Sequence, residues 1–432
     1  QEKLKGFEFW EKVLGGATRI VAPMVDQSEL AWRMLSRKYG AELCYTPMLH
    51  ASVFLRDQQY RTEGLASCPA DRPLIVQFCA NDPDVLCNAA MLAQDHCDAI
   101  DINLGCPQAI AKRGNYGAFL GENWKLVEKL IKVCHEKLSV PITCKIRVFE
   151  DLEKTVEYAK MIERAGCQLL TVHGRTKEMK GPMTGLASWK HIKAIKEAVK
   201  IPVFANGNIQ YKSDVERCMT ETSVDGVMVA EGNLHNPCIF TDTRPVIWDI
   251  ALEYIEYATK YPCPPSYARG HIFKICHHGL QRHTAARDLL GSSRDLKDMK
   301  RSVELLRDAC VETCWVDKDG VNDSLPFRHW FCQPYVRPAP KPKENKNGQI
   351  SKTKLKKMMK RCRKSGDLGV EGLDPAEKAK KLLKIIEEKS PKKVYDICVK
   401  CGNPGSSRCA FKSCKPCCKS RSREIDVSCT MH

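Results

Sequence analysis

The feature that most restricts the fold is a recurrence of eight short apolar runs within the first 235 residues, each closing on a polar or glycine-bearing turn. They are RIVAPM (19–24), ELCYTP (42–47), PLIVQFC (73–79), AIDINLG (99–105), ITCKIRV (142–148), LLTVHG (169–174), IPVFANG (201–207) and GVMVAEG (226–232). These runs show little apolar–polar alternation, so both of their faces need cover, which crossover helices provide. Stretches with helical spacing lie between them, at 123–138, 152–166 and 211–221. Strands of this kind, most of them followed by a helix, predict an α/β chain closed into a (β/α)8 TIM barrel over 12–242. A doubly wound open sheet is the alternative architecture.

The rhythm changes after residue 242. VIWDIALEYIEYATKY, ARGHIFKICHHGLQRH and RDLKDMKRSVELLRDACVETC have helical spacing with no strand between them, which predicts a small helical domain over 243–333. PYVRPAPKPKENKNGQI is proline and charge and reads as a linker over 334–350. A basic segment follows over 351–397, with a short helix at DPAEKAKKLLKIIEEK, and then a cysteine cluster over 398–418.

Charge is placed unevenly. Residues 341–432 hold 25 Lys and Arg against 10 Asp and Glu, which leaves almost none of the chain's net +17 to the first 340 residues. Concentrated positive charge attracts polyanions and is weakened by salt. Nucleic acid is the expected partner, against the plainer reading of a solubilising tail. No apolar run approaches the roughly 18 residues that a membrane span needs. The first residues have mixed charge and no signal-peptide core. Sixteen of the 24 cysteines are scattered before residue 341, many in apolar strands, where reduced thiols act as small hydrophobes. The expectation is a soluble intracellular protein in the cytoplasm, the nucleus or both, acting as a monomer.

In a barrel, function gathers where the strands end. Those ends contribute Pro23 and Met24, Gln77, Asn103 and Cys106, Lys145 and Arg147, His173 with Arg175 beyond it, Asn206–Asn208, and Ala230–Gly232. The last two loops follow strands seven and eight, the usual phosphate site of a barrel, and their glycines let backbone N–H groups turn toward an oxyanion. Either loop alone could be an ordinary strand-ending turn. Lys145 and Arg147 have the same parity, so their side chains share a face and call for an anionic or electron-rich partner. Cys106, between Gly105 and Pro107, could be a nucleophile, a general acid, a metal ligand or a filler. No histidine is spaced to make a protease pair, and no convincing ligand set accompanies it. An ordinary thiol is mostly protonated at neutral pH and can donate that proton in an aligned reaction. Lys112 and Arg113 lie on the following loop, where a nucleic-acid backbone could pass.

VAPMV, INLGCPQAIAKRGNYGAFL, KIRV, VHGRT, NGNI and DGVMVAEG together resemble the tRNA-dihydrouridine synthase family, over roughly residues 12–330. The likeness is greatest to its eukaryotic branch acting on D-loop uridines 16 and 17. The resemblance implies an FMN-dependent oxidoreductase in a (β/α)8 barrel, with NADPH or NADH as reductant and tRNA as substrate. It implies that hydride reaches C6 of a uracil while Cys106 protonates C5, giving 5,6-dihydrouridine. It implies that Asn103 orients the uracil. Pro23, Met24 and Val25 would run along the isoalloxazine, with Gln77, Lys145 and His173 as ring and ribityl contacts. Lys145, near the electron-rich edge of the ring, would stabilise the anionic reduced flavin. Arg147 faces substrate in this scheme, with Lys112, Arg113 and Arg175 also on the substrate side. Asn206, Gly207, Asn208, Ala230, Glu231 and Gly232 form the flavin phosphate loops, Glu231 through its backbone. No free-standing dinucleotide fingerprint is present, in keeping with a nicotinamide that visits transiently.

In the tail, CVKCGNPGSSRCAFKSCKPCC carries two CxxC pairs, Cys398/Cys401 and Cys414/Cys417, with the spacing of a structural zinc knuckle. Cys409 competes with Cys417 or Cys418 for membership, and a reactive disordered tail is the alternative. The lysines and arginines at 352–364 could grip tRNA phosphates or serve nuclear import.

Overall fold

A computed structural model describes residues 3–314, 325–337, 399, 409–413 and 417–418, without the side chains of 182, 313 and 314. The chain divides into two compact units, 1–340 and 341–432.

The first unit is built on parallel strands β1 (Arg19–Val21), β2 (Leu43–Tyr45), β3 (Leu49–His50), β4 (Leu74–Cys79), β5 (Ala99–Leu104), β6 (Ile142–Arg147), β7 (Leu170–His173), β8 (Val203–Asn206) and β9 (Gly226–Val229). Their order is β2-β1-β9-β8-β7-β6-β5-β4, and a β2–β4 pairing closes the ring into an eight-stranded TIM barrel. The two-residue β3 pairs beside β4, Leu49 opposite Phe78. Closure rules out the open sheet, and every apolar run quoted above contains one barrel strand.

Two apolar layers result. Outward-facing Val76, Ile100, Ile102, Cys144, Ile146 and Val172 pack against the helix ring. Inward-facing Ile20, Leu43, Tyr45, Ile75, Phe204 and Met228 fill the barrel, and Phe9 of the helix Gly6–Lys12 closes its floor with no exposed surface. That helix therefore belongs to the barrel, which begins before residue 12. Side-chain N-caps set the starts of several crossover helices: Asp82, Asn123, Asp151 and Ser188 each accept from backbone N–H groups of the first turn. Such a cap contributes about 1 kcal/mol.

The helical layer comprises Ile247–Lys260, Pro265–Ile275, His277–Arg282, Thr284–Ser292 and Leu296–Cys314. Thr284–Ser292 was not legible from spacing, and Cys276 divides the middle stretch into two helices. The layer docks on the barrel helix Leu30–Lys38 through a buried polar core. Glu29 accepts from Tyr254 Oη at 2.8 Å and lies 2.9 Å from His271 Nε2, whose ring stacks on Trp32 at 4.0 Å.

Residues 334–337, expected to open a linker, instead continue along the first unit. Val246 bridges Phe331, Pro334 is buried with its carbonyl 3.0 Å from His278 Nε2, and the Tyr335 ring stacks on His235. Aromatic stacking and backbone pairing override the proline-rich composition there. Of the tail, the described residues include buried Cys409 and Cys418 and half-buried Cys417, and Val399 N–H donates to Lys412 O. Cys398, Cys401 and Cys414 lie outside the described residues, as does all of 351–397. Among the described residues no helix is long and apolar enough to cross a membrane.

Candidate active site at the carboxyl rim of the barrel

Because all the strands are parallel, their carboxyl ends meet at one rim. Register aligns the polar residues there: Gln77 sits opposite Asp101, Asn103 opposite Lys145, Arg147 opposite His173, and His173 opposite Asn206. A hydrogen-bonded run crosses three strands. Thr143 Oγ1 donates to Asp101 Oδ1 at 2.6 Å, Gln77 Nε2 to Asp101 Oδ2 at 2.7 Å, and Asn103 Nδ2 to Gln77 Oε1 at 2.8 Å. Asn103 Oδ1 then accepts the backbone N–H groups of Gly105 at 3.1 Å and Cys106 at 2.9 Å. Burial pushes the Asp101 carboxyl up to about 6, against the opposing bonds from Thr143 and Gln77.

Cys106 is thereby held from both sides. Its N–H is bound by Asn103, and its carbonyl accepts from Ala118 N–H at 3.1 Å. Gly117, at φ +65°, makes the second contact possible: a Cβ there would lie 2.8 Å from Cys106 O and 3.0 Å from Cys106 Cβ. The thiol is half-buried, beside Tyr116, Ala111 and Phe119. The clamp is Asn103 on the N–H and Ala118 on the carbonyl.

The cations lie alongside. Lys145 Nζ donates to Asn206 Oδ1 at 3.0 Å, and Asn206 Nδ2 donates to Met228 O at 2.9 Å. Burial, then the nearby Arg147 guanidinium, draw the Lys145 ammonium down to about 8. Arg147 Nε donates to Gly105 O at 2.9 Å and its Nη1 to Thr176 O at 2.7 Å, tying the Cys106 loop to the loop after β7. Burial, then Lys145, Arg147 and Arg175, hold His173 well below the usual imidazole range, so its ring is neutral.

A cavity of about 340 Å³ opens between β6–β9 and the segment ending at Arg337. Arg147, His173, Arg175, Asn206–Asn208 and Ala230–Gly232 all line it, so one space gathers most of the rim residues named from sequence. Four cations border it, Arg147, Arg175, Lys180 and Arg337, against the single carboxylate of Glu231. That donor set, with the backbone of two glycine loops, fits an anionic phosphate ester. Arg175, expected on the substrate side, instead joins this cavity: its Nη2 donates to Asn208 Oδ1 at 3.1 Å, its Nε donates to Gly185 O at 3.0 Å, and its Nη1 lies 3.1 Å from His173 Nε2. Glu231 pairs through its carboxylate with Arg337.

Pro23, Met24, Val25, Gln77, Lys112 and Arg113 do not line this cavity. Gln77 has no exposed surface and works through Asn103 and Asp101, while Lys112 and Arg113 are exposed on the helix Ala109–Gly114. Val25 is 54 % exposed and Met24 packs into the core. Lys180, Tyr335 and Arg337 were missed in the sequence. Lys180 lies in a long loop without a motif, and the other two lie in a stretch with linker composition.

Gly232 is a point of close approach, where an added Cβ would run into the carbonyl oxygen of Ile209. Gly232→Ala is expected to cost about 1–3 kcal/mol through overpacking against backbone, measured by urea unfolding. A loss below about 0.5 kcal/mol would show that this loop relaxes freely.

The fold and rim define a class: a closed parallel barrel whose strand ends place a cation-lined cavity beside a backbone-clamped cysteine. The chain belongs to the dihydrouridine synthase (Dus) family, whose model matches residues 20–287. It is 54% identical over its full length to tRNA-dihydrouridine(16/17) synthase [NAD(P)(+)]-like of Mus musculus, covering 90% of that protein. It is 42% identical to tRNA-dihydrouridine(16/17) synthase [NAD(P)(+)] of Schizosaccharomyces pombe, over 82% of this chain and 96% of that one. Against tRNA-dihydrouridine(20a/20b) synthase [NAD(P)+]-like of Homo sapiens, identity is 40% over 58% of this chain and 80% of that one. Among solved structures, a 2-naphthoyl-CoA reductase complex aligns with a TM-score of 0.40 and 12% identity over 52% of this chain and 49% of that one.

Proposed function

We propose that this protein reduces the C5–C6 double bond of D-loop uridines 16 and 17 in tRNA, with FMN as cofactor and NADPH or NADH as reductant. The observation that carries the reading is the backbone clamp that fixes Cys106 at the carboxyl rim of the barrel, next to Pro107 and Gln108 of the cationic cavity. Bound FMN, once reduced, supplies the hydride that C6 receives.

The chain's own residues do the rest. Arg175, Lys180, Arg337 and the backbone of Gly207–Asn208 and Ala230–Gly232 would hold the flavin phosphate. Lys145 would supply positive charge at the electron-rich part of the flavin, favouring the reduced anion. Asn103 has one amide hydrogen left after its bond to Gln77 and offers it to the uracil. Cys106 Sγ–H gives its proton to C5 as C6 gains hydride, and the thiolate takes a proton back from solvent. Lys112 and Arg113, exposed past the thiol, contact the tRNA backbone, and the base enters flipped out of its stack. Pro23–Val25 border the ring. The tail extends the grip on tRNA: its lysines and arginines meet phosphates, and Cys398, Cys401, Cys414 and Cys417 bind one zinc. The enzyme acts as a monomer in the cytoplasm, the nucleus or both.

The test is turnover with FMN and NADPH on unmodified tRNA compared with free uridine and orotate-like pyrimidines. Product on tRNA alone is expected; product on the free pyrimidines and none on tRNA would contradict the reading.

Lys145 adds a pH signature. Its ammonium titrates near 8 in the free protein. An anionic ligand stabilises the charged form and raises that value, so between the two values the complex binds more protons than the free protein. FMN binding is therefore expected to take up protons just above pH 8, and affinity to fall as pH rises through that range. Calorimetry in buffers of different ionisation heat measures the uptake. Lys145→Met should abolish it, and equal uptake in that variant would refute the assignment.

A further inference from the structure

We infer that the helical domain contains a structural metal site for a thiolate-binding ion such as Zn2+, built from His283, Cys310 and His329. Their ligand atoms all lie within 4.8 Å of one another. The three come from separate places in the fold. His283 stands at the corner between the helices His277–Arg282 and Thr284–Ser292, and Cys310 lies in the last turns of Leu296–Cys314. His329 lies in the returning segment that pairs with the domain's entrance, where Ile247 N–H donates to Trp330 O and Cys332 N–H to Pro245 O.

Cys310 and His329 are 2% and 1% exposed. Cys310 Sγ lies 3.8 Å from His329 Nε2. A tetrahedral zinc with ordinary Zn–S and Zn–N bonds holds sulfur and nitrogen about 3.6 Å apart, so this pair is already at coordination spacing. A thiol–imidazole hydrogen bond would satisfy only those two groups. His283 Nε2 is buried with no hydrogen-bond partner among the described residues, a state that costs about 1–3 kcal/mol unless something else engages it. A metal ion at the centre engages all three at once. Two imidazoles and a thiolate select zinc over magnesium or calcium, which prefer oxygen.

The site ties the helical layer to the segment that continues to Tyr335 and Arg337 at the cavity. It is separate from the tail cluster, and the test must keep the two apart. Full-length protein with Cys398, Cys401, Cys409, Cys414, Cys417 and Cys418 all replaced by serine is purified under reducing conditions, and its metal content is measured by mass spectrometry. About one zinc per folded chain is expected to remain, and adding His283→Ala should lower it to below about a tenth. A folded background protein with no zinc, or full retention after His283→Ala, would overturn the inference. Should His283→Ala fail to fold, cobalt loading of the background protein decides instead. A thiolate-to-cobalt charge-transfer band is expected, and its absence would overturn the site.

Discussion

Cys106→Ala is expected to lower dihydrouridine formation on tRNA by about 10²–10⁴-fold while bound flavin stays at the wild-type level, since a positioned general acid contributes about that much. The separation of the two readouts follows from the geometry. The cationic cavity is lined by Arg147, Arg175, Lys180, Arg337 and the loops at 206–208 and 230–232, and not by Cys106. The thiol also contributes nothing to the clamp, which uses only the backbone N–H and C=O of residue 106. Alanine therefore removes a proton donor without releasing the loop. Cys106→Ser keeps a hydroxyl at the same place, but an alcohol is a far weaker acid, so its rate should stay near that of alanine. Flavin absorbance and mapped product, measured on the same preparations, check both parts. Normal product with Cys106→Ala would remove the thiol from the chemistry, and loss of flavin would make it structural.

The second large effect is on stability. Asp71→Ala is expected to cost about 3–5 kcal/mol, because it leaves buried guanidinium charge without its counter-charge. Asp71 Oδ2 accepts from Arg33 Nε at 3.0 Å and Nη2 at 2.7 Å, and its Oδ1 accepts from Arg37 Nε at 3.0 Å. The Asp71 and Arg33 side chains are 0% and 1% exposed. The remaining donors of the two arginines bind carbonyls: Arg33 reaches Ser28 and Ala66, and Arg37 reaches Pro73 and Glu42. One carboxylate thus secures the helix Leu30–Lys38, the chain before β4 and, through that helix, the platform for the helical domain. Urea unfolding of wild type and Asp71→Ala at one temperature measures the difference. A loss under about 1 kcal/mol would place the cluster among weak surface pairs.

This cluster also marks where the sequence stops being readable. The barrel was legible because each strand had to be apolar on both faces, and that requirement leaves runs such as LIVQFC and ITCKIR in plain view. Lys145 and Arg147 were legible because two cations of one parity interrupt such a run. Asp71 was not, since its partners lie 34 and 38 residues earlier and no local pattern distinguishes it from a turn aspartate. Arg337 was hidden by proline-rich surroundings, although its guanidinium borders the cavity. Arg175 was recognised, but not its direction, because a residue just past a strand can turn either way; its bond to Asn208 points it along the cavity. Cys106 was recognised while its support was not. Asn103 was read as a substrate contact, and its second task was not visible: its carbonyl oxygen accepts two backbone N–H groups of the thiol loop. The His283–Cys310–His329 group escaped notice for the same reason as Asp71: its members are adjacent only after folding.

The central claim is that this barrel reduces particular uridines of tRNA, and mapping the product on the nucleic acid tests it most directly. Full-length protein loaded with FMN is incubated with NADPH and an unmodified tRNA carrying uridine at positions 16 and 17, and dihydrouridine is located nucleotide by nucleotide. Dihydrouridine at those two positions is the predicted result. An RNA recovered without dihydrouridine, from protein that retains its flavin and is reduced by NADPH, would contradict it.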